Sequence, residues 1–389
     1  MSKLNAYMFM GLLILSSGAV IALPFTNLIT IFIFLLICYQ LLIVGQVRKI
    51  TLSFLLLLLL ILLSISITLL VNEDFKSFSS YANLMFRITL LAFAVLFFTS
   101  EEPIEIYNKY IVFLAAVSLV IFPLILINQD LPLAFPQFEQ YGNTYHNLFF
   151  YIASYYEGEV VGHNRNQSIF WEAGAFQSLL SLALFFEIYY FKKIRRINIG
   201  ILIVAILTTQ STTGYLILSG FFFLYLFFNE SNQKTSFLTK FSFVFFTGLF
   251  IASSGFFLTN IVEKFNADNL SNLSRLVSLK TDIEIFLSYP LTGSGYTIYD
   301  MAVTEISSET YGIQFEGSVS PLSKQFAVYG ILFMIPILFL YYKLIDNIVA
   351  SKIATPIIFG MILLILATEG FIVSPLWLFL GFSGLLYKK

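Results

Sequence analysis

Charge is what this chain lacks most. Of its 389 residues only 11% are Asp, Glu, Lys or Arg, against 58% hydrophobic ones, whereas soluble globular domains carry about 25% charge. A chain so poor in charge cannot clothe a water-facing surface, and its mean hydropathy of +0.88 reads as a membrane protein. Cysteine is nearly absent: Cys38 stands alone inside an apolar run, which excludes disulfides and thiolate metal sites. The two histidines, His146 and His163, cannot build a multi-histidine metal cluster without carboxylate help. The formal net charge of −1 comes with no basic face, so nucleic acid has no surface to bind. An Asp-x-Asp pair, a GxxxxGK[ST] loop, HExxH and GxSxG are all missing, and with them the usual phosphate loops, metal sites and nucleophile elbows. No metal and no cofactor is expected.

Long apolar runs are what the chain has instead. A bilayer core of about 30 Å needs roughly 20 apolar residues per helical span, and twelve stretches qualify as candidates: about 6–23, 26–45, 51–71, 82–99, 109–127, 168–190, 197–209, 213–229, 240–259, 321–341, 352–367 and 371–386. This predicts an all-α polytopic protein, one membrane domain over 1–389, with a loop at 128–167 and a larger loop with short helices at 260–320. The first stretch, after Lys3, resembles a signal peptide with a small-residue end. Because another span follows at once, it reads as an uncleaved anchor.

Lys and Arg favour the cytoplasmic side. The short loop "KKIRR" (192–196), with Lys3, Arg48, Lys49, Lys109, Lys234, Lys240, Lys343 and Lys352, then lies inside together with both termini. The two long loops fall outside, and function concentrates on such loops. The stretch "INIGILIVAILTT" (197–209) makes a helix of only about 20 Å. Its turn "TTQSTTG" (208–214) therefore stops below the outer surface, where polar backbone must line a cavity or be buried in protein. A hydroxyl-floored crater open to the outside is one reading; a tilted helix pair under a thinned membrane is the other.

A few ionisable residues stand out against this background. In "GHNRNQSIFWEAGAF" (162–176), Asn166 or Ser168 can cap a helix whose outward N-terminus suits phosphate. Arg165 precedes that cap with a fork for two anionic oxygens, and Glu172 falls in or near the first turn. Arg165 and Glu172 can equally pair with each other. Arg87 lies in the outer third of the 82–99 span, about one turn below the loop. A cation inside a span marks a functional site by default unless it snorkels to lipid headgroups. In 269–296, Ser274 reads as an N-cap and Pro290 as a stop. Arg275 and Asp282 share a face there, Lys280 points elsewhere, and "GSG" (293–295) is a turn; solvated charge on an interfacial helix is the alternative. His163 sits on the loop beside Arg165. Glu316, Lys324 and Glu369 lie near external span ends and read equally well as surface residues.

"RNQSIFWEAGAFQSLLSLALFF" (165–186) resembles the Arg-Asn then Phe-Trp-Glu-x-Gly-Ala-Phe stretch of bacterial O-antigen and capsule repeat-unit polymerases, the Wzy type. "TTQSTTGYLIL" (208–218) resembles that family's polar turn between two later spans. "RLVSLKTDIEIFLSYPLTGSGY" (275–296) resembles its Arg-headed external helix, and "SVSPLSKQFAVYGILFMIPILF" (318–339) the span that follows. Two departures are visible: Ala173 stands where the pattern has proline, and Glu316-Gly317-Ser318 stands where the related O-antigen ligases carry a His-Asn pair. The resemblance implies a GT-C-like, metal-independent glycosyltransferase at the external face of the bacterial cytoplasmic membrane. It would use undecaprenyl-diphosphate-linked oligosaccharide as donor and acceptor, amid membrane lipid and with a chain-length regulator as a possible partner. In that scheme Arg87, Arg165, Arg275 and Lys280 hold the diphosphate, and Glu172, or else His163, takes the acceptor proton. The rival functions are the ligase and a flippase or transporter for the same lipid-linked glycan.

Overall fold

Unbroken apolar sequence leaves the backbone no polar partners but its own, and so it coils into helices. The computed structural model describes residues 3–44, 48–98, 102–140, 143–156, 159–161, 165–191, 193, 195–228, 270–311 and 321–386. Its helices in chain order are α1 (Lys3–Leu15), α2 (Thr26–Val44), α3 (Leu52–Val71), α4 (Phe78–Val95), α5 (Glu102–Ile127), α6 (Ala173–Tyr189), α7 (Arg196–Thr208), α8 (Thr212–Phe228), α9 (Leu270–Ser288), α10 (Gly295–Tyr311), α11 (Pro321–Ile348), α12 (Ala354–Thr368) and α13 (Pro375–Gly384).

Among the described residues, five helical segments are long and apolar enough to cross a membrane: Val20–Leu42, Leu52–Val71, Phe75–Val95, Pro103–Ile127 and Pro321–Ile348. The other apolar helices, α1, α6, α7, α8, α12 and α13, are shorter. The expected span at 240–259 lies outside the described residues. The expected first span, 6–23, divides into α1 and a 3-10 turn over Val20–Phe25 that runs straight into α2. Gly18 makes this break: its φ of 99° suits glycine, and a Cβ there would collide with the Trp171 ring. Residues 18–20 then pair with 169–171, Val20 N–H donating to Ile169 O (3.0 Å) and Trp171 N–H to Gly18 O (3.3 Å).

The all-α expectation needs correction at 137–161. Strands β1 (Gln137–Gln140), β2 (Asn143–Asn147), β3 (Ile152–Tyr156) and β4 (Glu159–Val161) form an antiparallel meander in the order 1-2-3-4. In the sequence Tyr141-Gly142 falls between β1 and β2, and Glu157-Gly158 between β3 and β4. Phe138 opposes Tyr145 across the first pair, with the rings stacked at 5.6 Å. Such cross-strand aromatic pairs stabilise a sheet.

Near α11 the chain crosses itself closely. α11 breaks at Gly330 (φ 69°, ψ −174°), a conformation open in practice to glycine alone. The turn at 290–294 lies along the break: Ile331 N–H donates to Pro290 O (2.9 Å), Leu332 N–H to Leu291 O (3.1 Å) and Ser294 N–H to Ala327 O (2.9 Å). "GSG" is thus a turn, with Gly293 and Gly295 at φ 69° and 74°. Before it, α9 starts at Leu270, not after a Ser274 cap, and stops short of Pro290 as expected. Its buried face carries Val277, Ser278, Thr281, Asp282 and Ile285, while Leu279, Ile283 and Leu287 are exposed. Asp282 tolerates burial because the Tyr299 hydroxyl (2.7 Å) and the Ser323 hydroxyl donate to it.

A Cβ on Gly330 would strike Gly293 N and Leu291 O. Gly330→Ala should therefore cost more than the about 1–3 kcal/mol of backbone strain alone. Thermal unfolding of the detergent-solubilised protein, with Gly360→Ala as a control whose Cβ meets open space, measures it.

Candidate functional site

The polar residues gather where α1, α3, α7 and α12 end and α4, α6 and α8 begin. Three clusters form there. In the first, Arg165 and Asn166 dock on the α7–α8 turn. Arg165 Nε–H donates to Thr209 O (3.1 Å). The Asn166 amide donates to Ser118 Oγ (2.9 Å) and Thr208 Oγ1 (3.0 Å), and its backbone N–H to Thr208 O (3.0 Å). Gln210 takes a positive φ of 50° at the tip, and buried Ser211 caps α8 by accepting from Gly214 N–H (3.3 Å). Asn166 and Ser168 do not cap α6: the Asn166 side chain is committed to this turn, and Ser168 N–H donates to Asn166 Oδ1 (3.2 Å) while the buried Ser168 hydroxyl has no partner among the described residues.

Glu172 instead occupies the N-cap position of α6, in extended conformation (φ −153°, ψ 161°) and without a side-chain capping bond. Its carboxylate forms no ion pair with Arg165. What it meets is a second carboxylate. Glu369, the C-cap of α12 and only 7% exposed, reaches over Gly174. A Cβ on Gly174 would collide with Glu369 Oε1 and lie 3.8 Å from Glu172 Oε1. Trp171 and Phe371 flank the pair with ring centres 5.9 Å apart. Among the described residues no three His, Cys, Asp or Glu side chains come together as a metal site.

The third cluster surrounds Arg87. The helix bearing it begins earlier than 82, so Arg87 stands near the middle of the Phe75–Val95 span, not one turn below the loop. Its Nε is buried and has no partner, and it makes no hydrogen bond or ion pair among the described residues. Its charge acts on the phenols of Tyr296 and Tyr329, which hydrogen-bond to each other at 2.5 Å. Tyr81 packs edge-on against both, at 5.1 and 6.1 Å. Below them Asp74, 3% exposed, accepts from the Tyr81 hydroxyl (2.9 Å), from Tyr296 N–H (2.7 Å), and from the N–H (3.2 Å) and hydroxyl of Thr297. It thereby caps α10 from another element.

Among the described residues, no hydrogen bond or ion pair joins Arg87 or Glu172 to the others expected at a site. Lys280 is exposed on α9, and Arg275 stands on the same helix, its side chain outside the described part. His163 also lies outside the described residues. A cleft of about 660 Å³ between α1 and α2, lined by Met8, Leu12, Leu36 and Tyr39 among others, holds none of these groups. Neither a family model, nor a curated protein, nor a solved structure matches the chain. Its chemistry must be read from these side chains.

Sequence reasoning passed over Asp74 and the three tyrosines, and left Glu369 as equally well a surface residue. Glu369 reads as a surface residue because its partner on α6 is remote in sequence. Asp74 lies in a short connection, and Tyr81, Tyr296 and Tyr329 are hidden among 22 tyrosines. At the opposite end, Arg195 is more than a marker of orientation. It grips Glu187, 0% exposed, through Nε (2.8 Å) and a terminal nitrogen (2.7 Å), and Asn108 and Asn198 complete the carboxylate's bonds.

Burial by itself raises the Asp74 carboxyl, but hydrogen bonds from Thr297 and Tyr81 outweigh it and hold the group below its ordinary 3.8. The folded value being the lower one, Asp74 contributes stability that is complete above the unfolded value and is lost as the pH falls through the folded one. Asp74→Asn should lower stability at neutral pH by about 1–3 kcal/mol and flatten the acid limb. Melting temperatures of both proteins from neutral into the acid range check this.

Proposed function

We propose that the chain is a membrane-embedded glycosyltransferase that joins lipid-diphosphate-linked oligosaccharide repeat units into a surface polysaccharide on the external face of a bacterial cytoplasmic membrane. The observation that carries this reading is Arg87, a guanidinium inside a helix long and apolar enough to span, with no ion-pair partner among the described residues. An uncompensated charge at such depth is costly, and a ligand anion offsets the cost. The diphosphate of a polyprenyl-linked sugar is such an anion, delivered from the bilayer itself. The likeness of 165–186 and 275–296 to the repeat-unit polymerases points the same way.

In the proposed reaction the acceptor hydroxyl oxygen attacks the anomeric carbon of the donor. The bond from that carbon to the diphosphate oxygen breaks, and its electron pair leaves with the lipid diphosphate. Cations stabilise the departing charge, with Arg87 foremost and Arg165, whose fork extends from the α7–α8 turn, as the second. Glu172 takes the acceptor proton, its carboxylate free of capping and ion-pair duties. Glu369 beside it is a second acceptor for sugar hydroxyls, and Trp171 offers a ring face for stacking.

A flippase for the same lipid is the second reading, favoured by one observation: Arg87 stands midway along its span, where transporters place their sites. One experiment separates the two. In a deletion strain carrying wild type, Arg87→Ala or Glu172→Gln at equal protein level, surface glycan is resolved on a gel. The polymerase reading requires single repeats with either variant. Repeats trapped inside the cell would establish the flippase, and long chains accumulating on the lipid the ligase.

With purified lipid-linked substrate, Glu172→Gln should lower the transfer rate by roughly 10²–10⁴-fold, the usual weight of a general base. Gly174→Ala should displace the Glu369 carboxylate and lower the rate while leaving the melting temperature nearly unchanged. A rate equal to wild type in both variants would remove this carboxylate pair from the mechanism.

A further inference from the structure

Two phenol oxygens, Tyr296 Oη and Tyr329 Oη, lie 2.5 Å apart, and neither has another hydrogen-bond partner among the described residues. Two hydroxyls carry two protons. One bridges the oxygens, which leaves a second O–H with nothing to donate to. Arg87 Nε–H, buried and unpartnered, is a further idle donor, and its charge acts on both phenols. Donors left idle inside a protein cost about 1–3 kcal/mol each, and native structures rarely keep them without a use.

The neighbouring donors are already committed. Tyr81 gives its hydroxyl proton to Asp74, and the first N–H groups of α10, from Tyr296 and Thr297, point to the same carboxylate. The start of α10 is thus filled from within. The acids near Tyr296 are Asp74 and Asp300. Asp74 is saturated by these bonds, and Asp300 is exposed on α10. Burial, ahead of every other influence, pushes the Tyr296 phenol above its ordinary 10.0, so it stays a neutral donor at physiological pH. What remains is a cation, an N–H and one O–H beside aromatic rings, with no oxygen acceptor for them among the described residues.

With the lipid diphosphate of the reading above as premise, we propose that Arg87, Tyr296 and Tyr329 form one phosphoryl-binding site, in which the hydroxyl pair supplies the neutral donor beside the guanidinium. The phenols act as a unit. Removing either oxygen takes away the bridge that orients the remaining O–H, so each single substitution should weaken binding about as much as the double one. Charge-assisted hydrogen bonds are worth enough that the dissociation constant should rise roughly 10-fold or more in each.

The test uses the full-length protein in phosphatidylcholine nanodiscs, titrated calorimetrically with inorganic pyrophosphate and, separately, inorganic phosphate. Wild type, Tyr296→Phe, Tyr329→Phe, the double variant and Arg87→Lys are compared. Tyr341→Phe is the stability control, since Tyr341 donates to a distant carbonyl, Ile372 O. Equal weakening in the three phenol variants, with melting temperatures lowered no more than in the control, supports the site. Pyrophosphate binding that needs Arg87 but is indifferent to both phenols overturns the inference and leaves the diphosphate reading standing. Absence of any anion binding to wild type overturns both. If phosphatidylglycerol in the nanodisc abolishes pyrophosphate binding to wild type, bulk lipid headgroups are the natural occupant. The phosphoryl site then stands and the repeat-unit premise fails. Surface polysaccharide on the gel, normal in a phenol variant that has lost pyrophosphate binding, separates the two in the same way.

Discussion

Backbone N–H and C=O groups in hydrocarbon must find partners inside the protein, and wherever a helix of this bundle breaks, another segment supplies them. Where the chain turns at Gly18 after α1, residues 169–171 lie alongside and exchange hydrogen bonds. Where α11 opens at Gly330, the turn at 290–294 fills the gap. Where α7 gives way to α8, Arg165 and Asn166 take up the exposed carbonyls of Thr208 and Thr209. All three repairs gather side chains from remote parts of the chain at one end of the bundle, and the candidate site is assembled from those repairs.

The charged groups sort by whether they are spent on this task. Glu187 and Arg195 hold each other with Asn108 and Asn198 around them. Asp282 joins α9 to α10 and α11, and Asp74 joins the end of α3 to the start of α10. The three carboxylates are buried and satisfied, the condition under which burial of charge is tolerated. Arg87 is not satisfied, and Glu172 keeps a carboxylate that neither caps its helix nor pairs with Arg165. Groups left uncommitted in so dry a protein are where a ligand gains most, because each desolvated donor or acceptor strengthens what it binds.

Helix periodicity and turn chemistry are local, and they were legible. The long apolar runs, the stop at Pro290 and the turn at Gly293–Gly295 all appear as read. The sheet at 137–161 was also local, signalled by Gly142 and Gly158 at hairpin spacing, but hydropathy that points everywhere to membrane helices hides four short polar strands. Five segments among the described residues are long and apolar enough to cross a membrane, and six further apolar helices are shorter. A run of apolar residues shows that a segment avoids water, not whether it stays helical throughout, and Gly18 breaks the first run only because Trp171 comes to rest on it.

Composition and the spacing of apolar residues by themselves decide that this chain folds as helices of a membrane protein, since burying so much apolar surface and pairing its backbone admits little else. They also single out Arg87 and Glu172, because charge is scarce enough here for each instance to carry information. Which charges are consumed and which remain available is decided only by the tertiary structure. The approach of Glu369 to Gly174 and the hydrogen bonds of Asp74 with Thr297 and of Tyr296 with Tyr329 span from 33 to 223 positions of sequence. Contacts at that separation depend on where helices break and cross, which no local pattern encodes.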